Sequence, residues 1–473
     1  MAASFTIVPM SFLVRLVVSV VCCAWCATPL AAVPATAQHP NVIFILVDDL
    51  GQTDLGCYGS PFYETPHIDR LASQGMKFTQ AYSACTVCSP TRASFLTGQY
   101  PARLHITDWI PGHARPFAKL AVPDWRLFLP PEEMNIAKAF KAAGYATISI
   151  GKWHLGPERC WPDKAGFDQN LGGYDRGQPP SYFAPYKIPT LPEGPRGEFL
   201  TDRESAEAVK FIRQHGGERF FLYLPHYAVH TPIQAKTNVT AKYRAKLRRG
   251  GGSQTNATYA ALVESVDDSV GRILATLDEL KLSDNTLVIF TSDNGGLLPV
   301  TSNLGLRAGK GSAYEGGVRV PLLARWPGVI QPGATSAAPV MSIDFYPTLV
   351  ELAGLANPAE HPVDGESLAP LLRQAGALQR DALYWHYPHY HPGGATPYGA
   401  VREGDWKLIE FAETDRVELY DLLRDPTERE DLAAKQPGRV ARLRKKLHDW
   451  REAVGAQPAT VNPKYDAARE ARK

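Results

Sequence analysis

The sequence carries almost no net charge and has no internal repeat or low-complexity segment. Its 50 lysines and arginines nearly balance 48 aspartates and glutamates, which gives a formal charge of +2 at pH 7. This balance argues against a nucleic acid or an anionic membrane surface as partner, because both select proteins with strongly basic faces. With 44% hydrophobic and 21% charged residues, the composition is that of an ordinary globular protein.

No apolar run reaches the ~20 residues that a membrane-spanning helix needs, so we expect no stable membrane span. The longest run lies near the start, between Arg15 and the small residues Ala35-Thr36-Ala37. A cation, an apolar stretch and a small-x-small cleavage site are typical of a signal peptide. We therefore predict a signal peptide at 1–37 and an exported protein, periplasmic or secreted after cleavage. The alternatives are a single-pass anchor and a lipid anchor on Cys22, Cys23 or Cys26.

Cysteine is scarce outside this leader. Three of the seven cysteines lie within it, which leaves Cys57, Cys85, Cys88 and Cys160. In an oxidising compartment these four could form two disulfides, whereas at most one bridge can form if Cys88 is reserved for chemistry. A chain of 473 residues buries most of its surface on folding, so it needs no disulfide scaffold for stability.

Apolar runs of strand length alternate with helical periods through most of the chain. Such alternation predicts βαβ units, in which helices cover both faces of a parallel sheet. The continuous apolar run NVIFILV at 41–47 is typical of a strand in such a sheet. Further strands are predicted at 145–150, 219–224, 286–290 and 319–328, and helices at 132–144, 204–217 and 257–280. We therefore expect an α/β fold with a mostly parallel sheet flanked by helices.

The pattern changes near residue 375. Antiparallel strands are predicted within 398–411 and 416–423, and an amphipathic helix at 438–454. We predict a large α/β domain at 38–375 and a smaller α+β subdomain at 376–473, which contains an antiparallel sheet.

Charged and metal-binding residues follow four of the predicted strands. Open parallel sheets bind ligands beyond the carboxyl ends of their strands, so these side chains should face one crevice. None of these elements indicates a functional site by itself. Paired aspartates commonly cap loops, a lysine after a strand is commonly solvated, and histidines and the sequence SDNGG are frequent in turns. Their coincidence at four strand ends carries the inference. The residues are Asp48 and Asp49, Lys152 and His154, His226 and His230, and Asp293 and Asn294.

Four of these side chains offer oxygen ligands. Asp48, Asp49, Asp293 and the amide oxygen of Asn294 form a hard ligand set, which favours calcium or magnesium. Zinc is less suited, because it prefers histidine or thiolate ligands and the histidines lie on other loops. We predict Ca²⁺, with Mg²⁺ as the alternative, because four side chains leave room for a flexible shell that the substrate completes.

The stretch CTVCSPTRASFLTG places a cysteine at the start of a predicted helix. Ser89 is a good N-cap, Pro90 a good first helical residue and Gly98 a typical stop. Cys88 would lie just ahead of the helix N-terminus, where partial positive charge favours an anionic group, and Arg92 is near enough to reach the same space. This arrangement suits a nucleophile that handles an anionic substrate. The alternative is the usual one for an unpaired cysteine, an inert small apolar residue.

The same stretch resembles the signature of the type I sulfatases, Cys-x-Pro-x-Arg. Five further elements of that family are present: DDLG, GKWHLG, HTP, SDNGG and GKGSAYEGGVRVP. The resemblance covers most of the chain. The sequence as a whole is similar to bacterial arylsulfatase-like enzymes of the alkaline phosphatase superfamily. It implies an alkaline-phosphatase-like fold, with 38–375 as the catalytic domain, and a sulfatase that cleaves sulfate monoesters.

The resemblance also implies that a formylglycine-generating enzyme oxidises Cys88 to Cα-formylglycine during export. A thiolate that attacked sulfur would leave a thiosulfate that is hard to hydrolyse. A hydrated aldehyde has two hydroxyls, one to attack sulfur and one whose deprotonation re-forms the carbonyl and expels sulfate. In the family the modified residue is also a ligand of the divalent cation, so Cys88 joins the predicted metal set.

The remaining roles are carried over from the family residue by residue. Arg92 and Lys152 would hold and polarise the hydrated aldehyde and the sulfate. His154 would take a proton from the hydrate when sulfate leaves. His230 and Lys310 lie where the leaving oxygen is protonated or stabilised, so Lys152, His230 and Lys310 are also predicted to bind substrate.

Aromatic segments suggest the class of substrate. The segment YWHYPHYHPGG concentrates His386, His389 and His391 among tyrosines, and imidazoles and aromatic faces suit sugar rings as a subsite wall. We predict His386 and His389 as substrate-binding residues; the alternatives are packing between domains and a zinc site. Long Pro/Gly-rich loops at 110–132 and 172–197 are of a kind that often carries function. The second would form the opposite wall with Tyr174, Tyr182, Phe183 and Tyr186.

We therefore expect a sulfated saccharide as natural substrate, with small aryl sulfates as surrogates. The nearest alternative is a phosphatase or phosphonate monoester hydrolase of the same superfamily, although these commonly use threonine or serine nucleophiles with zinc. A non-catalytic polyanion-binding protein on the same fold is the other, but it would tolerate losses at Cys88, Lys152 or His230, and none is lost.

Overall fold

The computed structural model of the protein describes residues 1–4 and 39–470. The predicted signal peptide beyond residue 4, and with it the alternative lipid-anchor cysteines, lies outside the described residues. No helix within 39–470 is both long enough and apolar enough to cross a bilayer.

Strands and helices alternate along the described chain. The strands are β1 (Asn41–Val47), β2 (Met76–Tyr82), β3 (Leu120–Ala121), β4 (Ala146–Ile150), β5 (Gln169–Leu171), β6 (Phe220–Pro225), β7 (Thr286–Ser292), β8 (Arg319–Arg325), β9 (Ala334–Ser336), β10 (Val340–Met341), β11 (Ala382–Tyr387), β12 (Tyr398–Glu403), β13 (Trp406–Phe411), β14 (Arg416–Asp421) and β15 (Thr460–Val461). The helices are α1 (Pro66–Ser73), α2 (Cys88–Thr97), α3 (Pro101–Leu104), α4 (Ile136–Ala142), α5 (Leu200–His215), α6 (Thr237–Arg249), α7 (Ala257–Glu279), α8 (Glu315–Val318), α9 (Phe345–Leu352), α10 (Ala369–Leu372), α11 (Pro437–Ala453) and α12 (Ala467–Glu470).

Within residues 39–470, nine strands form one mixed sheet in the order β10-β2-β8-β7-β1-β6-β4-β5, with β9 also paired to β2. Among the described strands of this one sheet, only β8 runs antiparallel to its neighbours, so the sheet is mostly parallel. Two further sheets are antiparallel: β11 to β14, and the short pair β3 and β15. The prediction of an α/β fold with a separate antiparallel sheet near the C-terminus is confirmed.

The central strand β1 is buried along its whole length. Successive side chains of a strand point to opposite faces, so a strand covered on both sides must be apolar at every position. Alternate side chains of β1 enter two cores, one shared with α1, α5 and α7 and the other with α2, α4 and α9. The two sets are Ile43, Ile45 and Val47, and Val42, Phe44 and Leu46.

The register of four adjacent strands brings their carboxyl ends together. Val47 of β1 pairs with Ser292 of β7, and Leu46 of β1 pairs with Pro225 of β6. On the far side of β6, Ser149 of β4 pairs with Tyr223. The residues that follow β7, β1, β6 and β4 therefore meet at one edge of the sheet, and these are the four strand ends singled out in the sequence.

The antiparallel sheet β11 to β14 is apolar on both faces. One face packs on the main body, where Trp385 and Ile409 share a cluster with Tyr82. The other face lies under α11, whose two buried leucines, Leu443 and Leu447, share a cluster with β12, β13 and β14. The described residues 39–470 belong to one compact unit, and the boundary placed at residue 375 stays a prediction.

Three helix starts differ by more than one residue from the sequence expectation. Helix α5 begins at Leu200, four residues before the predicted start at 204. The helix predicted from residue 132 begins at Ile136, because the side chain of Asn135 accepts the N–H groups of Ala137 and Lys138 and so caps it. Helix α2 begins at Cys88, with Val87 in extended conformation as its N-cap, so the assignment of Ser89 as N-cap is wrong. The predicted stop at Gly98 is confirmed, with a φ of 73°.

The four cysteines of the described chain, Cys57, Cys85, Cys88 and Cys160, are all unpaired. Neither of the disulfide arrangements left open by the sequence is therefore formed among them.

We predict that docking of α11 stabilises the antiparallel sheet. Replacing Leu447 by alanine should lower the free energy of unfolding by about 2–5 kcal/mol, because the substitution leaves a cavity in a closed core. Urea denaturation followed by circular dichroism measures this. The control is Lys445→Ala on the exposed face of the same helix, where only a surface ion pair with Asp449 is lost. Equal effects of the two substitutions would show that α11 contributes no packing energy.

Candidate active site

The centre of the site consists of acidic side chains paired with buried cations. Asp48 Oδ2 lies 2.6 Å from Lys152 Nζ, and both side chains are fully buried. The guanidinium of Arg92 donates from Nε and Nη2 to Asp293 Oδ2 at 3.0 and 2.8 Å. Its Nη1 donates to the carbonyl oxygen of Lys152 at 3.0 Å. Helix α2, which carries Arg92, is thus tied to the ends of β7, β1 and β4.

Asp49 is the second acidic centre. Its Oδ1 accepts from Lys310 Nζ at 2.6 Å and from Asn294 Nδ2 at 2.8 Å. Its Oδ2 lies 3.6 Å from His230 Nε2. The structure therefore brings together the predicted residues that follow β1, β6 and β7, and with them Lys310, which was predicted from the family resemblance.

Cys88 and His154 face one another. Cys88 Sγ lies 3.3 Å from His154 Nδ1, and both residues are buried. The other ring nitrogen, Nε2, donates to the carbonyl oxygen of Ile110. His154 has a φ of 60°, in the left-handed region that residues other than glycine adopt uncommonly.

Three predicted metal ligands keep an oxygen without a hydrogen-bond partner. Asp48 Oδ1, Asp49 Oδ2 and Asn294 Oδ1 are buried and unpaired in the described chain. A buried oxygen without a partner is costly, and a hard cation would satisfy all three. Ligand atoms of Asp48, Asp49 and His230 also lie within 4.8 Å of one another. The donor set therefore fits a divalent cation.

The electrostatics of the site are uneven. Burial and the neighbouring Asp293 carboxylate raise the pKa of Asp48 well above its usual range. Burial has the same tendency at Asp49, but Lys310 and His230 outweigh it and hold the pKa of Asp49 below its usual range. Burial and the positive charge of Lys152 lower the pKa of His154 well below its ordinary value, so its ring is neutral. Burial and Lys310 lower the pKa of His230 to about 3.

A cavity of about 730 Å³ opens above these groups. Cys88, His154, His230 and Lys310 are among the residues that line it. Much of its wall is apolar and is formed by Trp109, by Ile110 and Leu127 of the loop 110–132, and by Leu297 of the segment after β7. Its polar wall is formed by Asp175, Arg176, Gln178 and His391.

Two predicted substrate residues lie elsewhere. His386 faces the 455–459 segment, where its Nε2 donates to Gln457 O at 2.9 Å, because Trp385 and Tyr387 take the opposite face of β11. His389 is buried with its Nε2 2.8 Å from Thr107 Oγ1. Neither lines the cavity among the described residues, whereas His391 of the same segment does, and the substrate-binding role of His386 and His389 stays a prediction.

The aromatic wall predicted from the loop 172–197 is wrong. Tyr174, Tyr182 and Tyr186 are buried in the apolar core, and Phe183 packs against it. The same loop contributes its polar residues 175–178 to the cavity. His226, which follows β6, is likewise structural: it is fully buried between Glu204 Oε2 at 2.6 Å and Ser269 Oγ at 2.9 Å.

Sequence reasoning missed several residues at the site. Ser89 and Ile110 contact His154, and Thr231 Oγ1 lies between His230 Nδ1 and Gln178 Oε1, at 3.1 Å from each. For Ile110 and Gln178 the length of the loops 110–132 and 172–197 was the only signal, and it did not indicate which loop residues reach the cavity. Ser89 and Thr231 lie within the CTVCSPTRASFLTG and HTP elements, but the sequence did not show that they contact these histidines.

Comparison with known proteins places the chain in a family. Residues 40–355 match the family model Sulfatase, and residues 309–454 match N-sulphoglucosamine sulphohydrolase, C-terminal. A sulfatase of Formosa agariphila is 34% identical, over 87% of this chain and 89% of its own length. The N-acetylgalactosamine-6-sulfatase of Sus scrofa is 36% identical, over 75% of this chain and 70% of its own length.

Solved structures agree with this placement. The crystal structure of Ps i-CgsB in complex with k-i-k-neocarrahexaose matches with a TM-score of 0.77 at 29% identity, over 92% of this chain and 96% of that one. The family match spans well over half of the sequence, and the relatives share most of their length with it. The chain therefore belongs to the sulfatase family, within the alkaline phosphatase superfamily, and is an enzyme that hydrolyses sulfate esters.

Proposed function

We propose that this sulfatase cleaves sulfate monoesters through a Cα-formylglycine derived from Cys88, with the help of a divalent cation. The observation that carries the proposal is the position of Cys88, which lies 3.3 Å from His154 Nδ1 and lines one cavity with His230 and Lys310. The hydrated aldehyde supplies one hydroxyl to attack sulfur and a second whose deprotonation expels sulfate.

The side chains around position 88 divide the remaining work. His154 is neutral at physiological pH because burial and Lys152 lower its pKa, so its free ring nitrogen accepts a proton from position 88. Lys310 keeps its proton, because Asp49 raises its pKa although burial opposes this. Lys310 and His230 stabilise the leaving oxygen, and Lys152 and Arg92 hold the anionic centre in place.

Asp48, Asp49, Asp293, Asn294 and the modified residue 88 would hold the cation. The three unpaired buried oxygens support this assignment, and their all-oxygen character favours Ca²⁺, with Mg²⁺ as the alternative. The cation supplies positive charge: with three carboxylates, Arg92, Lys152 and Lys310, the site then carries about two positive charges. Such a preorganised field stabilises a sulfuryl group as its charge redistributes during reaction.

We further propose a sulfated saccharide as natural substrate. The named activity of the Sus scrofa relative and the oligosaccharide bound by Ps i-CgsB support this class. The cavity suits a sulfated saccharide because its apolar walls can pack on sugar rings while Gln178 and His391 offer hydrogen bonds.

We also propose that the protein is exported after cleavage near Ala37 and that a formylglycine-generating enzyme matures it. The leader-like sequence supports export.

Mass spectrometry tests the modification and the export together. In a host that contains the modifying enzyme, the exported protein should begin at Gln38. Residue 88 should be lighter than cysteine, because its conversion to formylglycine removes the mass of H₂S and adds the mass of one oxygen atom. Cys85 lies in the same tryptic peptide and serves as the internal control, because it should remain a thiol. Turnover should rise in proportion to the modified fraction, and full activity with a thiol at position 88 would contradict the mechanism.

Metal removal tests the ligand assignment. Chelation should abolish turnover, and Ca²⁺ should restore it at a lower concentration than Mg²⁺. Asn294→Ala should weaken Ca²⁺ binding by on the order of 10-fold or more, because it removes one of the unpaired oxygens. Calorimetric titration measures the affinity, with Asn238→Ala on the exposed face of α6 as control. Unchanged activity in a preparation shown to be free of divalent metal would refute the assignment.

Substrate comparison separates the candidate activities. We expect kcat/KM for an aryl sulfate to exceed that for the matching aryl phosphate and phosphonate monoester, because the chain carries the Cys-x-Pro-x-Arg signature and matches the Sulfatase family model. Defined sulfated mono- and disaccharides then test the natural class. A preference for the phosphate or phosphonate would favour the alternative activity of the superfamily.

A further inference from the structure

The imidazole of His154 is held by groups to which the mechanism gives no task. Its Nε2 donates to the carbonyl oxygen of Ile110. The hydroxyl of Ser89, the residue after Cys88, donates to the backbone oxygen of His154 at 2.9 Å. The same hydroxyl oxygen accepts the N–H of Ile110 at 3.2 Å. Ser89 therefore links the backbone of His154 to Ile110, the residue whose carbonyl oxygen holds the imidazole ring.

A glycine covers the ring from another side. A Cβ added at Gly177 would lie 2.5 Å from Cε1 of His154 and 2.9 Å from each of its ring nitrogens. Atoms at such distances overlap, so any larger residue at 177 would push the ring or the loop away. Gly177 does not occupy the left-handed region, and its conformation therefore does not require glycine. Close approach to the imidazole is what requires it.

These contacts fix which ring nitrogen carries the proton. A carbonyl oxygen can only accept a hydrogen bond, so Nε2 must be protonated where it meets Ile110. In the neutral ring the proton-free nitrogen is then Nδ1, which lies 3.3 Å from Cys88 Sγ. The backbone of His154 is itself in a sparsely populated conformation, and such residues persist where the surroundings over-determine them.

We propose that Ser89 and Gly177 are positioning residues that hold His154 with its proton-free Nδ1 toward position 88. The inference rests on the proposed function, because it gives His154 the role of base at that position. In the release step, Nδ1 accepts the proton of the free hydroxyl on the modified residue. The carbonyl forms as the carbon–oxygen bond to sulfate breaks, and the electron pair of that bond leaves with the sulfate. Ser89 thus has a task inside the signature beyond its place in the sequence.

A matched pair of substitutions isolates the hydroxyl. Ser89→Thr keeps the hydroxyl, whereas Ser89→Val has a methyl group in its place. Threonine and valine have nearly the same shape, and both substitutions leave Cys-x-Pro-x-Arg intact. Rates are expressed per formylglycine, measured by mass spectrometry. We expect Ser89→Val to lower kcat by about 10–100-fold, part of what a general base contributes. We expect KM to change little, and Ser89→Thr to stay within a few-fold of the wild type.

Crystal structures supply a readout that does not depend on turnover. The proteins are prepared without the modifying enzyme, so that residue 88 is a thiol in each. In Ser89→Val the imidazole should move away from the carbonyl oxygen of Ile110, and in Ser89→Thr it should keep its position. The second variant is Gly177→Ala, a substitution that folding should tolerate because Gly177 is half-buried in a loop. It should likewise displace the ring and lower kcat. Gly217→Ala is its control, because an added Cβ there meets nothing within 4 Å.

The outcomes separate this inference from the proposed function. Full kcat in Ser89→Val, or a loss of kcat with the ring unmoved, would overturn the positioning role. If Ser89→Val fails to fold, Gly177→Ala decides by the same two measurements. A wild-type enzyme that turns over with a thiol at position 88 would overturn the formylglycine mechanism, whereas the crystal comparison would still decide what holds the ring.

Discussion

Two buried ion pairs, Asp293 with Arg92 and Asp48 with Lys152, join separate parts of the chain at the carboxyl edge of the sheet. Removing one partner of a buried pair leaves an uncompensated charge and costs about 3–5 kcal/mol. The strand ends and helix α2 therefore have to keep their relative positions. Every other property of the site, including the place of Cys88, depends on this constraint.

The same charges make the site receptive to a cation and an anion together. The buried oxygens of Asp48, Asp49 and Asn294 that lack a hydrogen-bond partner suit a positive charge, and the raised pKa of Asp48 reflects its burial and the neighbouring Asp293 carboxylate. Lys310, by contrast, holds its proton beside Asp49. Carboxylates and cations are thus interleaved within a few ångströms, and a sulfate ester meets an environment already arranged for it.

The fold and the chemistry at the strand ends could be read from the sequence because both follow local rules. An apolar run such as that of β1 specifies burial on two faces, and parallel register then brings Asp48 beside Asp293 without further information. Contacts that depend on which way a side chain points in the folded protein could not be predicted from the sequence. His386 and Tyr182 have the composition of a sugar-binding wall, but their burial is decided by which face of a strand or loop meets the core. The contact of Ser89 with His154 requires helix α2 and the segment after β4 to meet, which they do only in the folded chain.

The burial of α2 has a consequence for the order of events in the cell. All ten residues of this helix are buried, so another protein cannot reach the side chain of Cys88 once the chain has folded. The proposed oxidation by a separate enzyme would therefore have to precede folding, and the two processes would compete for the newly made polypeptide. A secretion route that carries proteins already folded would deliver the thiol form unless oxidation had come first.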